Sequence, residues 1–286
     1  MSNFLFGLRN VIKLGSVTLP ILQGSMVSMP KNYNIPAVFS ADNLFQFVYV
    51  EGLQYPTFQI NTQINMSWFT ADVLKGWFGL PYSGRSQDDV ATAGALVYFN
   101  GVDGISASDC KVNMLRIGGS AGDVLRCTLV ILGYGTIDPA VVVEPIGLTK
   151  VTATPASFQH VTSTGKMSTT KNATGAFASF DLTLNNNLDV NPEMNGSVYP
   201  TDFNAGMFTA ALRLVMQARA TRPADGVSSP PVLTIAPPGA SNVGITLANL
   251  LCLDPNERSV QFPRQMREYN FALLGADADS DPVTIA

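Results

Sequence analysis

The residues of this chain that could carry bond chemistry are few and scattered. Its one histidine, His160, sits in ASFQHVTST without a neighbouring nucleophile or the surroundings of a triad, so a structural or surface role is expected. The three cysteines, Cys110, Cys127 and Cys252, are odd in number and far apart, form no CxxC pair, and make no metal-ligand set with a single histidine. They read as buried small hydrophobes in a reducing compartment. Asp277, Asp279 and Asp281 alternate like the opening of a calcium loop, but the following glycine and distal glutamate are missing, which leaves a solvated acidic tail. Asp88 and Asp89 are adjacent and would point apart on a strand, a poor geometry for an acid/base pair. The glycines between Gly118 and Gly122 precede no Lys-Ser/Thr and open no helix, which argues against a phosphate cradle. Asn65, Asn172 and Asn195 fit the glycosylation triplet, without meaning in the absence of a signal peptide. Trp68, Trp77 and Tyr82 could form a sugar platform, but their helical, apolar setting favours core packing. No catalytic residue, metal or cofactor is expected, and an enzyme is the least supported class.

The elements that would position any site are mostly strands. Phe45–Val50, Thr57–Ile64, Ala95–Phe99, Lys111–Ile117 and Val124–Leu132 carry β-branched and aromatic residues between Gly, Asn, Asp or Pro turn clusters. One helix is predicted over Thr70–Phe78, with Thr70 as its cap and Asp72 in its first turn. Val73, Leu74, Trp77 and Phe78 share one face, and Gly79 and Pro81 end it. Leu247, Leu250 and Leu251 read as a second helix or, nearly as well, a strand. The cleanest alternation comes later. Phe180, Leu182 and Leu184 oppose Ser179, Asp181 and Thr183, while Phe208, Leu212, Leu214 and Met216 oppose Thr209, Arg213, Gln217 and Arg219. Period two with one apolar face predicts half-buried antiparallel strands. Arg267–Leu274 returns to strand character.

With 286 residues, 46% of them hydrophobic, the chain is long enough for one large β domain or two lobes. Only 13% are charged, about half the usual share of roughly 25%. The simplest account is a surface largely covered by neighbouring subunits, since interface cores are depleted in charge. A net charge of −4 gives no basic footprint for gripping phosphates. In the N-terminal segment Gly7, Gly15, Pro20 and Gly24 interrupt every apolar run, so neither a secretory signal nor the ~18 apolar residues of a membrane span is present. That segment reads either as an extended arm whose Phe4, Leu5, Phe6, Val11, Ile12 and Leu14 need a partner, or as the first strands of the domain.

A faint internal repeat matches KVNMLRI and GDVLRCTLVILG with SFDLTLN and AGMFTAALRLVMQ, two hairpins of one pattern. Ile137–Thr154 reads as a linker with an edge strand, Thr162–Gly175 as a polar loop, and Thr221–Pro238 as a stiff, turn-rich excursion. The expected division is an arm or first strands over 1–36, a first β lobe over 37–140, a linker over 141–155 and a second β lobe over 156–286. The expected fold is mainly β: antiparallel sandwich or barrel lobes with a short flanking helix.

SFDLTLNNNLDV followed by YPTDFNAGMFTAALRLVM resembles the phage tail tube protein family, in which an Asn-rich turn and a long loop lead into a second strand. CKVNMLRIGGSAGDVLRCTLVILGYG is similar to the other hairpin of that family, and MREYNFALLGADADSDPVTIA to its terminal strand. Together these cover about a third of the chain. The resemblance implies a β-sandwich with a flanking helix, assembled into stacked rings whose inner sheets join into a barrel. The lumen would pass double-stranded DNA without specific binding, and no membrane would be involved. Expected partners are further copies of the chain, as trimers of two-lobed chains in preference to hexamers, and the tail terminator, tail tip and tape measure proteins. The expected place is the virion tail, after synthesis in the host bacterial cytoplasm. Ser179, Asp181, Thr183, Thr209 and Gln217 are the candidates for lumen exposure, with Arg213 and Arg219 on the same face either paired with carboxylates or marking it as the outside. Phe4, Leu5, Phe6, Asp189, Tyr199 and Asp202, in the arm and the loop Asn185–Ala205, are the candidates for ring-to-ring contacts. The alternatives are another virion β protein (head decoration, distal tail ring or connector) and then a carbohydrate- or ligand-binding β module.

Overall fold

The computed structural model describes residues 11–29, 33–34, 50–79, 90–99, 104–141, 156–157, 161–164, 177–190, 197–217, 232–237, 239, 242–247, 250–252, 266–273 and 283–286. The chain opens with a hairpin of β1 (Val11–Leu14) and β2 (Val17–Pro20), turned at Gly15, whose positive φ favours glycine. Ile12, Leu14 and Leu19 are fully buried in the chain's own core. Of the two readings of the N-terminal segment, residues 11–20 follow the second and are strands. Phe4, Leu5 and Phe6 lie outside the described residues.

After β3 (Met26–Ser28) and the short pair β4 (Tyr33–Asn34) and β5 (Val50–Glu51) comes β6 (Thr57–Gln63). Helix α1 (Ala71–Phe78) follows, with the predicted ends: the Thr70 side chain accepts from the Val73 amide at 3.3 Å, and Gly79 closes it at φ 58°. Leu74, Trp77 and Phe78 are buried, and Val73 packs beside them. Trp68 stacks on Trp77 at 5.8 Å inside the core and donates its Nε1–H to the Gln63 carbonyl, so these two rings form no open sugar platform. Tyr82 lies outside the described residues.

The longest hairpin pairs β8 (Gly104–Ser120) with β9 (Arg126–Val141), and β7 (Leu96–Phe99) joins the first end of β8. The strand predicted at Lys111–Ile117 is therefore only the middle of a 17-residue element. Register shifts after Gly104, Ala107 and Val112 are bulges that bend the hairpin and re-aim its ends. Ile137, expected in a linker, still belongs to β9, which runs to Val141; residues 142–155 lie outside the described ones.

Beyond β10 (Val161–Thr164) come β11 (Phe177–Asn185), the small ribbon of β12 (Asp189–Val190) and β13 (Phe203–Asn204), and β14 (Thr209–Gln217). The rest is β15 (Val232–Ile235), β16 (Val243–Leu247), β17 (Leu250–Cys252), β18 (Met266–Leu273) and β19 (Val283–Ile285). Leu247 ends one strand and Leu250 and Leu251 begin the next, so the helical alternative fails there. Pairing of Leu250 with Leu273 and Leu251 with Ala272 supplies the backbone partners, whereas a helix so short would carry the full cost of nucleation.

Among the described residues, eleven strands form one sheet. One eight-strand antiparallel run reads β3-β6-β9-β8-β11-β14-β18-β17, while β7, β1 and β2 extend from the far half of β8. Along that run the first four strands stand in the chain order first, second, fourth, third, and the next four repeat the same order. Strands from both sides of residues 141–155 thus share one sheet, through the β8–β11 pairing. A second sheet, β10-β15-β16-β19, buries Leu233, Ile235, Val243, Ile245, Leu247, Val283 and Ile285 in the same core as the large sheet and α1. The architecture is sandwich-like and mainly β, and among the described residues the large sheet stays open, with no closed barrel. Each fully buried Leu, Ile or Phe of this core contributes about 1.5–3 kcal/mol.

Candidate functional site

The site is the outer face of the large sheet, and alternation builds it. In β11, Phe180, Leu182 and Leu184 are buried while Ser179, Asp181 and Thr183 turn to the other side; in β14, Leu212 and Leu214 are buried while Thr209, Ala211 and Arg213 are exposed. Register aligns the strands so that Asn61, Thr128, Arg116, Thr183, Ala211 and Ala272 form one row across six of them. The neighbouring row carries Arg126, Gly118, Asp181, Arg213 and Asn270. Gln217 ends β14 opposite Met266, and Arg219 lies outside the described residues.

Four charges alternate along this face. Arg116 on β8 donates from Nε to both Asp181 carboxylate oxygens, at 2.8 and 3.0 Å. Arg213, directly across from Asp181, makes a bidentate pair with Glu268 on β18, at 2.7 Å for each bond. The sequence Arg116, Asp181, Arg213, Glu268 thus crosses β8, β11, β14 and β18 with sign reversing at each strand. Pairing with Asp181 raises the Arg116 pKa and pairing with Glu268 raises that of Arg213, so both guanidiniums stay charged. Each pair is well exposed on its arginine side and contributes at most ~1 kcal/mol to stability. What the ladder fixes is electrostatics: the charges of these four residues cancel locally. A concavity of about 400 Å³ opens over it, where Gly118 and Gly119 leave room between Arg116, Arg126, Asp123 and Asp181. Arg126 has no ion-pair partner among the described residues.

The loop candidates sit elsewhere. The ribbon of β12 and β13 is tied to the sheet at one margin, where Gln54 donates to the Val198 carbonyl at 2.7 Å and Gly135 to that of Pro200 at 3.1 Å. Lys111, only 3% exposed, reaches from β8 to Asp202 at 2.7 Å and to the Phe203 carbonyl at 2.9 Å. Phe203 fills a small satellite core with Leu132 and Tyr134. Asp189 is exposed, Tyr199 half-buried, and Asp202 engaged by Lys111, so the three share one folded excursion. The Asn-rich turn divides its work by residue. Asn186 is buried and donates to the Trp77 and Val112 carbonyls at 2.9 and 2.7 Å, fastening the helix end to the sheet. Asn187 takes a left-handed φ of 48° and donates to the Met207 carbonyl at 2.6 Å. Gly206 must be glycine, because a Cβ there would collide with the Asn187 carbonyl oxygen.

Among the described residues, Cys110, Cys127 and Tyr134 are buried. Burial pushes the Cys110 and Cys127 thiols up, with Asp109 adding to the shift at Cys110. Tyr134 is pushed up to about 12 by burial, against a hydroxyl contact with Thr92 at 2.7 Å. Asn65 is buried and its Oδ1 accepts from the Ser67 amide, so the first glycosylation triplet is closed to modification. Among the described residues no His, Cys, Asp and Glu side chains gather into a metal-binding group. His160, Asp88, Asp89, Asp277, Asp279, Asp281, Asn172 and Asn195 lie outside those residues.

The family model described as phage tail tube protein matches residues 56–222, more than half of the chain, from the start of β6 to just past β14. The chain belongs to the phage tail tube protein family. The match takes in the long hairpin, α1, the Asn-rich turn and both arginines of the ladder. No curated protein matches the chain. As a tail tube family member it is a structural component of the virion tail, and the family is not a class of enzyme.

Sequence reasoning found Asp181 and Arg213 but not Arg116, Glu268, Arg126 or Lys111. The outward alternation of Met114, Arg116 and Gly118 in KVNMLRIGG was available as a signal. Which carboxylate each arginine meets depends on strand register, which no single segment encodes.

Proposed function

We propose that the chain polymerises into stacked rings forming the hollow phage tail tube, and that the polar face of the large sheet lines the lumen through which double-stranded DNA is delivered. The observation that carries this reading is the charge ladder. In the ladder each arginine is matched by a carboxylate, so these four residues offer a passing polyphosphate no net positive charge. Ser179, Asp181, Thr183, Thr209 and Gln217 are then lumen residues, and Arg213 stands among them neutralised by Glu268. The DNA passes without specific binding.

The ring is a trimer. The repeated strand order gives each chain two four-strand blocks, so three chains supply six blocks around the axis. This correspondence differs from the hairpin match read in the sequence, which pairs β8 with β11 and β9 with β14. Ring-to-ring contacts use the N-terminal residues Phe4, Leu5 and Phe6 and the excursion carrying Asp189, Tyr199 and Asp202. Assembly takes place after synthesis in the host bacterial cytoplasm, with the tail terminator, tail tip and tape measure proteins completing the tail.

Negative-stain electron microscopy of the purified protein, dilute and then concentrated, tests the reading. Hollow tubes with a regular axial repeat and threefold end views are expected. Isolated rings or monomers at every concentration, even with tail-tip components added, would instead assign the chain to a decoration or connector role.

A further inference from the structure

We infer that neighbouring copies of this chain join through β17 of one and β3 of the next, and that the β8–β11 junction inside the chain is the pattern for that seam. The inference rests on the tube reading and adds which edges meet. Three observations carry it.

The first is order. In the run β3-β6-β9-β8-β11-β14-β18-β17, the β8–β11 contact is where the third strand of one block, counted along the chain, meets the first strand of the next. The equivalent strands left over are β17, third of its block, and β3, first of its own. Among the described residues each has a sheet partner on one side only, β18 and β6 respectively. The second is direction. The eight strands are antiparallel throughout, so the first and last run oppositely, and a copy placed head to tail continues the alternation without a parallel pair. Such a heterologous contact repeats until it closes.

The third is chemistry. Open sheet edges are normally blunted by charge or proline, yet β3 reads MVS and β17 reads LLC, with neither. The edge formed by β2, in contrast, ends in Pro20. Among the exposed large hydrophobic side chains, two belong to these edges: Met26 at 60% and Leu251 at 37%. Both stand on the polar face, since Met26 lies opposite Gln59 and Leu251 opposite Ala272. A seam between the two edges covers both side chains and pairs both rows of backbone groups.

The test is a full-length chain carrying Met26→Cys and Leu251→Cys, assembled into tubes and treated with a short bis-maleimide. Buried Cys110 and Cys127 are shielded, and Cys252, which lies on β17 itself, is replaced by serine in every variant so that the two single variants report background alone. The double variant is expected to give a denaturing-gel ladder that stops at the ring's copy number, with no ladder from either single variant. Tubes whose double variant stays monomeric on the gel, or single variants that link equally well, would overturn the seam and leave the tube reading standing. If wild-type chains form no tubes, both fall. Should the double variant fail to assemble, Leu251→Lys decides. A melting temperature like that of the wild-type monomer with a tenfold or greater rise in the concentration needed for tubes supports the seam, and unchanged assembly overturns it.

Discussion

At the scale of single residues, the sharpest consequences come from polar side chains inside the fold. Asn186 spends its amide on two carbonyls, one at the end of α1 and one on β8. Replacing it with alanine leaves both acceptors without that donor in a site closed to water, so Asn186→Ala should cost about 2 kcal/mol. Urea unfolding of the unassembled subunit measures it. The Lys111–Asp202 pair is lopsided: the lysine side chain is 4% exposed and the aspartate 41%. Breaking a buried pair is expensive mainly for the charge left behind. Asp202→Asn strands a buried ammonium and should destabilise by about 3 kcal/mol. Lys111→Met strands only a carboxylate that water already reaches, and should cost clearly less. The reverse ranking in the same unfolding experiment would show that Lys111 acts through packing and not through its charge.

Elements were legible where their signals were local. Helix α1 announced itself by Thr70, Asp72, one apolar face and Gly79, and the structure keeps each of those roles. Thr70→Ala removes the side-chain acceptor for the Val73 amide and should cost about 1 kcal/mol, read as a lower melting temperature of the monomer. Strands β11 and β14 were legible because strict alternation with one apolar face has few other solutions. Strand β8 was not, beyond its middle: bulges after Ala107 and Val112 break the period of two just where its far half continues to Gly104. The three leucines near β17 lacked any periodicity that separates helix from strand, and the neighbouring strand β18 decided between them. The candidate site shows the same limit. One could read from the sequence that Asp181 and Arg213 share a face, but the alternation of four charges exists only once register sets β8, β11, β14 and β18 side by side. Lys111 was hidden by a different cause, since a lysine inside a predicted strand gives no sign that Asp202 will return to cover it.

At the scale of the whole molecule, the ladder makes the lumen assignment testable apart from assembly. Arg116, Asp181, Arg213 and Glu268 sum to zero on each chain, and Asp181 is the one carboxylate flanked by two arginines. Asp181→Asn keeps the size of that side chain but leaves Arg116 unneutralised, adding one positive charge to every copy. The pair is worth at most ~1 kcal/mol, so the fold and the tubes should survive. Repeated around each ring and along the tube, the added charges would form a continuous track for phosphates. Particles built with this variant should therefore eject DNA more slowly than wild type, with the deficit shrinking as salt rises and screens the attraction. Exchanging the partners, Arg116→Asp with Asp181→Arg, preserves the sum and should restore the rate. Ejection at the wild-type rate by Asp181→Asn particles with normal tubes would mean that DNA does not pass this face, and would move the ladder to the outside of the tube.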